Sequence, residues 1–148
     1  MYSTTNVLWT ANGGRPLFPG SAAAKADAAE SRGLVRKVLV VDDEPDLADT
    51  AGMLLNAYGL EVVVAYSAHD ALEALQSDAG IDAIFSDIMM PRMTGLQLAD
   101  VVNEMYPSIK IVLTSGYTRS TLLESSGRPY PFATKPYVMT EILDLLRK

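Results

Sequence analysis

A parallel α/β sheet with helices on both faces is the fold this sequence predicts, and three observations predict it. Short runs rich in Val, Ile and Leu alternate with stretches of helical periodicity, five of each in 148 residues, and alternation of this kind builds parallel sheets. The runs are apolar at nearly every position, as strands covered on both faces should be. Four of the five runs also end in polar chemistry: Asp42-Asp43-Glu44, Asp87, Thr114-Ser115 and Lys135. Right-handed crossovers put every strand's carboxyl end on one rim of such a sheet, so these groups are expected to converge.

The elements follow in order. Residues 1–36 differ from the rest, with turn clusters at Asn12-Gly13-Gly14 and Pro19-Gly20-Ser21 and an Ala-rich stretch without an apolar stripe. They read as a flexible extension, in which Trp9 and Phe18 are more simply incidental than docking residues. Lys37 to Val41 is the first strand. Asp46 to Tyr58 is the first helix, with Pro45 suited to its first turn and Gly59 to its end. Leu47, Ala51, Leu54, Leu55 and Tyr58 form its expected buried stripe.

Glu61 to Ala65 is the second strand. Ser67 can cap a helix through Ser77, with Ala68, Leu72 and Leu75 inward. His69, in its first turn, reads as a surface residue. Asp82 to Ser86 is the third strand and runs into Asp87; Pro91 and Gly95 then break the chain. Thr94 can cap a helix to Tyr106 with Leu98, Val101, Val102 and Met105 inward, stopped by Pro107. Lys110 to Thr114 is the fourth strand. A short helix over Thr118 to Ser126 is expected, truncated by Gly127, Pro129 and Pro131. Tyr130 to Ala133 is the fifth strand, and Val138 to Arg147 the last helix, with Val138, Ile142 and Leu145 on one face.

Composition narrows the function. There is no cysteine, which excludes disulfides and thiol-ligated metals. No apolar run approaches the ~20 residues of a membrane span, and the N-terminus lacks a secretory leader's pattern; the cytoplasm is the expected compartment. Net charge is −6, unevenly spread. Residues 1–36 hold four cations and two acids, a balance of +2, which leaves −8 for the rest. An acidic domain argues against direct binding to nucleic acid.

Three converging carboxylates would repel one another and raise one another's pKa. Oxygen-only ligands suit Mg²⁺ or Mn²⁺. A carboxylate can also take a phosphoryl group as a nucleophile. Transfer of that group depends mainly on positioning and neutralised charge, which a metal ion, Lys135 and the Thr114 hydroxyl could supply. Taken singly, each residue has a plainer role: Asp42 or Asp43 as a helix cap, Thr114 as a strand-end hydroxyl, Lys135 as a solvated cation. Their occurrence at successive strand ends favours the shared site.

Four motifs now agree. Val40-Val41-Asp42-Asp43-Glu44-Pro45, Ser86-Asp87-Ile88-Met89-Met90-Pro91 with Gly95, Leu113-Thr114-Ser115-Gly116-Tyr117 and Lys135-Pro136-Tyr137 resemble the receiver domain of two-component response regulators. The resemblance covers residues 37–148 as one receiver domain. It implies a (βα)5 doubly wound, flavodoxin-like fold with strand order 2-1-3-4-5. It implies that Asp87 accepts a phosphoryl group from a phosphohistidine on a sensor histidine kinase or a histidine phosphotransfer protein. It further implies Mg²⁺ held by Asp43 directly, Asp42 mainly through water, Asp87, and the Met89 carbonyl. Thr114 and Lys135 would contact phosphoryl oxygens, and the Lys135–Pro136 bond would be cis.

Phe132 matches the aromatic switch position that works with Thr114, often a Tyr in the family; lacking a hydroxyl, it can act only through burial of its ring. The Pro-interrupted segment after Thr114 is shorter than in many members and resembles receivers attached to hybrid kinases. With no room for an output domain after the last helix, the expected activity is that of a signalling phosphoacceptor acting through an unidentified protein target, with a weak homodimer allowed and no contact with membrane. Two other readings are a Mg²⁺-dependent phosphatase, disfavoured by Met89 where a second acid is wanted, and an interaction module that is never phosphorylated. Nucleotide binding is disfavoured, since neither Gly-rich phosphate motif occurs.

Overall fold

The structure, a computed structural model, describes residues 34–116 and 130–148. Five strands form one parallel sheet in the order β2-β1-β3-β4-β5: β1 (Lys37–Val41), β2 (Glu61–Ala65), β3 (Ala83–Asp87), β4 (Lys110–Ser115) and β5 (Phe132–Thr134). Among the described residues four helices connect or follow them: α1 (Pro45–Ala57), α2 (Ala68–Ser77), α3 (Gly95–Met105) and α4 (Met139–Arg147). The helix expected over residues 118–126 lies outside the described residues. No helix is long and apolar enough to cross a membrane among those described.

The period of two along each strand divides the core. Leu39, Val41, Val63, Ile84 and Leu113 face one layer, where Ala71 and Leu75 of α2 and Leu98 and Val102 of α3 cover them. Val38, Val40, Val62, Phe85 and Val112 face the other, under Ala48 and Leu55 of α1 and Ile142 and Leu146 of α4. A one-residue slip of any strand would exchange these sets, so packing fixes the register.

Helix ends follow local chemistry. Ser67 caps α2 by accepting the Asp70 amide, and Thr94 caps α3 in a reciprocal box with Gln97. Gly59, with φ of +96°, turns the chain out of α1. Tyr130 donates its hydroxyl to Asp100 Oδ1 at 2.7 Å, tying the approach to β5 onto α3.

The helix faces depart from expectation. In α1 the buried residues are Ala48, Ala51, Gly52 and Leu55, whereas Leu47, Leu54 and Tyr58 are about half exposed. Two stripes compete on this helix, and the one with small residues wins because it lets the backbone approach the sheet closely. The same holds in α3, where Gly95 and Ala99 join Leu98 and Val102 while Val101 is half-buried and Met105 exposed. In α4, Val138 is the exposed N-cap and Leu145 only half-buried; Met139, Leu143 and Leu146 take the inner face with Ile142. Leu72 of α2 is likewise only partly buried. Strand ends shift too: β3 extends through Asp87, β4 through Ser115, and β5 starts two residues later than expected.

Candidate functional site

The register assembles the site. Asp87 lies opposite Thr114 in the β3–β4 pairing, and Val41 opposite Ser86 in the β1–β3 pairing, which brings Asp42 level with Asp87. Ser115 pairs with Thr134, and the Lys135 amide donates to the Ser115 carbonyl at 2.9 Å, so Lys135 leaves β5 beside β4. Four segments far apart in sequence thus deliver their polar side chains to one rim.

Backbone contacts hold the rim in place. The Asp42 amide donates to the Ala65 carbonyl at 3.2 Å, and Asp42 Oδ1 accepts the Glu44 amide at 3.0 Å. Neither Asp42 nor Asp43 is the α1 N-cap; Glu44 occupies that position without a side-chain cap bond. Behind Asp87, the Ile88 amide donates to the Thr114 carbonyl at 2.9 Å and the Gly95 amide to the Ile88 carbonyl at 2.8 Å. Gly95 is required here, because a Cβ on it would stand 2.2 Å from the Asp87 carbonyl oxygen. The loop between holds Met89, half-exposed, and Arg92, whose φ of +66° lies in the left-handed region.

Asp42, Asp43 and Asp87 each offer a carboxylate oxygen within 4.8 Å of the others. Asp42 and Asp87 are buried, Asp43 partly so. Against them stands Lys135, whose Nζ is 3.4 Å from Asp87 Oδ1 and 3.6 Å from Asp42 Oδ2. Burial pushes the Asp87 carboxyl up to about 6; Lys135 draws it down, but Asp42 and Asp43 push it up again. The Thr114 hydroxyl is buried at the same spot without a hydrogen-bond partner among the described residues. A buried polar atom left unpaired is costly, and this one lies where an incoming oxygen could satisfy it.

The donor set fits a hard divalent cation. Three clustered carboxylate oxygens exceed what one lysine neutralises, and no nitrogen or sulfur ligand stands among them. Every residue singled out from the sequence at this rim, Asp42, Asp43, Asp87, Thr114 and Lys135, is brought together. Met89 lies two residues beyond Asp87 in the adjoining loop. Phe132 is partly buried against the α2–α3 layer, and the Lys135–Pro136 bond is cis. His69 is well exposed on α2 beside Glu73 and is not a member of the cluster.

Tyr137 was given no role by its position in the Lys135-Pro136-Tyr137 motif. Its ring meets Phe85 edge-on, with centroids 5.4 Å apart and planes at 81°. Burial raises its phenol's pKa, and the charges of Asp42 and Asp87 add to the effect. The available signal was its placement two residues after the site lysine.

Comparison with known proteins gives the family. Residues 38–146 match the response regulator receiver domain family. The chain is 32% identical over 117 residues to Protein PilG of Pseudomonas aeruginosa, covering 75% of this chain and 84% of PilG. It is 32% identical over 113 residues to a response regulator receiver protein of an Anaeromyxobacter species; that match takes in 75% of this chain but spans only about half of the relative, 47%. Among solved structures, the chemotaxis response regulator CheY4 of Vibrio cholerae superposes with a TM-score of 0.67 at 27% identity, over 76% of this chain and 97% of that one. With its sheet order, rim chemistry and family match in agreement, the chain belongs to the response regulator receiver domains of two-component signalling.

Proposed function

We propose that Asp87 is the phosphoacceptor of this receiver and that its phosphorylation switches a protein-interaction surface. The observation that carries this reading is the setting of Asp87: buried, 3.4 Å from Lys135, beside two further acids and a Thr114 hydroxyl with no hydrogen-bond partner among the described residues. An Asp87 carboxylate oxygen attacks phosphorus, and the bond from phosphorus to the donor's phosphohistidine nitrogen breaks. Lys135 and Thr114 bind the phosphoryl oxygens on Asp87, the first by charge and the second by a donated hydrogen bond. Asp43 directly, Asp42 chiefly through water, Asp87 and the Met89 carbonyl would hold Mg²⁺, which supplies neutralising charge to the transferred group. The physical support is the oxygen-only cluster and its excess of negative charge over Lys135.

A phosphoryl group drawing Thr114 toward it would open space in front of Phe132, whose ring then buries further; this is the switch we assign to the pair. A sensor histidine kinase or histidine phosphotransfer protein is the proposed donor, the cytoplasm the proposed compartment, and the output a protein contact. The test is intact mass after incubation with Mg²⁺ and acetyl phosphate, beside Asp87→Asn. One phosphoryl adduct that needs Mg²⁺ and disappears in the variant is expected. An adduct that persists in the variant would move the acceptor elsewhere.

A further inference from the structure

Next to the acidic cluster lies a cleft of about 480 Å³ between α1 and the turn from β5 into α4. Asp42 and Lys135, both members of the rim site, line it, so cleft and site are continuous. The rest of its wall is mostly carbon: Leu47 and Leu54 on the flank of the buried face of α1, Ala51 between them, and Tyr137 from the turn after β5. Leu47 and Leu54 are 44% and 45% exposed, and together with Tyr137 they set apolar surface directly beside a charged site. Tyr137 is a firm wall, because its ring is set edge-on against buried Phe85. A pocket of this size, apolar with a few polar groups at one end, suits a small ligand with an anionic head and an apolar body.

Resting on the phosphoacceptor reading of Asp87, we infer that this cleft selects small phosphodonors, favouring aryl or branched acyl phosphates whose body lies on Leu47, Leu54 and Tyr137 while the phosphoryl end meets Lys135. Charge complementarity commits the occupant: Lys135, the cation paired with Asp42 and Asp87 among the described residues, marks the end that takes the phosphoryl group, and the carbon walls take what is attached to it. The step balances without a further reactant. An Asp87 carboxylate oxygen forms the new bond to phosphorus, the bond from phosphorus to the bridging acyl oxygen breaks, and the departing carboxylate keeps that electron pair; no proton is transferred. Aryl and alkyl carboxylates leave with similar ease, so a difference between donors reports binding of the body.

The experiment compares second-order rates of Asp87 labelling by acetyl phosphate and benzoyl phosphate in Mg²⁺, read by intact mass on the full chain. Benzoyl phosphate is expected to label about tenfold faster, the gain from burying roughly two methylene-sized groups. Leu54→Ser and Leu47→Ser, at exposed positions, should each lower the benzoyl-to-acetyl ratio about threefold, and Met53→Ser, exposed on α1 outside the cleft, should leave it unchanged. Independently of transfer, phenacylphosphonate should shift the amide resonances of Leu54 and Tyr137, and methylphosphonate should not. Efficient acetyl phosphate labelling with a ratio near one, unmoved by the leucine variants, would overturn the inference, leave the phosphoacceptor reading standing, and return the cleft to a macromolecular partner. The absence of an adduct from either donor would overturn the inference alone, because the phosphohistidine route to Asp87 does not depend on small donors.

Discussion

The two ends of this sheet use the same residue types to opposite effect. At the amino-terminal rim, Asp82 Oδ2 accepts the Arg36 and Lys37 amides at 2.9 and 3.0 Å. Asp78 takes Lys37 Nζ at 2.6 Å and the Gly80 amide at 2.9 Å. Burial pushes the Asp78 carboxyl up, but the Lys37 hydrogen bond, the Gly80 amide and the Lys37 charge together hold it below the usual carboxylate range. At the carboxyl-terminal rim three acids share one lysine, and Asp87 rises to about 6. One rim is matched and holds the fold together; the other is mismatched, and on the phosphoacceptor reading proposed above that mismatch is what a cation and a phosphoryl group would answer. Acidic residues alone therefore do not mark a site; the ratio of acids to donors does.

The comparison breaks most completely at Asp87. Asp87→Asn should abolish the adduct and, in metal-free protein, stabilise the fold. The sign follows from the shift: folding raises this carboxyl from 3.8 to about 6, so its contribution is intact below pH ~4 and lost as pH rises through 6. The variant should gain on the order of 2–3 kcal/mol over the parent at pH 7 and nothing below pH 4, measured by urea unfolding across that range. A parent stability that climbs between pH 4 and 6, with no gain in the variant, would show that the rim is balanced after all.

Gly95→Ala tests the backbone behind the site. With Asp87 carbonyl oxygen 2.2 Å from the new Cβ, either β3 or α3 must shift, at roughly 1–3 kcal/mol in urea unfolding and with slower labelling of Asp87. An alanine variant of full stability and rate would show that the loop yields freely. The smallest effect belongs to the matched rim. Lys37→Met should lower stability by about 1 kcal/mol or less at neutral pH, because both partners are partly exposed. That loss should fade on acidification as Asp78 protonates, and it should leave labelling of Asp87 unchanged; a change in labelling would couple the two ends.

Much of this was legible in the sequence. The strands are short, uninterrupted apolar runs, and that signal survives whatever surrounds them. The candidate site was legible because four of the five runs end in one of its residues, and a parallel sheet sends all those ends one way. The inner faces of the helices were read less well. A stripe of leucines outweighs one of alanine and glycine on any hydrophobicity count, yet close packing on a sheet favours the smaller stripe, as Ala48, Ala51 and Gly52 show. That misreading hid the cleft, since its leucines are those assigned to the core. That the Thr114 hydroxyl has no partner among the described residues was equally invisible, because a missing hydrogen bond is a property of three-dimensional surroundings.

The position of Lys135 in the last strand of the sheet has a consequence for how the chain is made. Asp42, Asp43 and Asp87 leave the ribosome well before Lys135, the cation paired with Asp42 and Asp87 among the described residues. A nascent domain that has already paired β1 with β3 holds an acidic cluster with no counter-charge of its own. Arrival of β5 relieves that repulsion and adds the Lys135 amide bond to Ser115 in the same event. The residue that partly balances the acidic cluster is thus also one that ties the edge strand to β4, so the sheet and the candidate site are completed together.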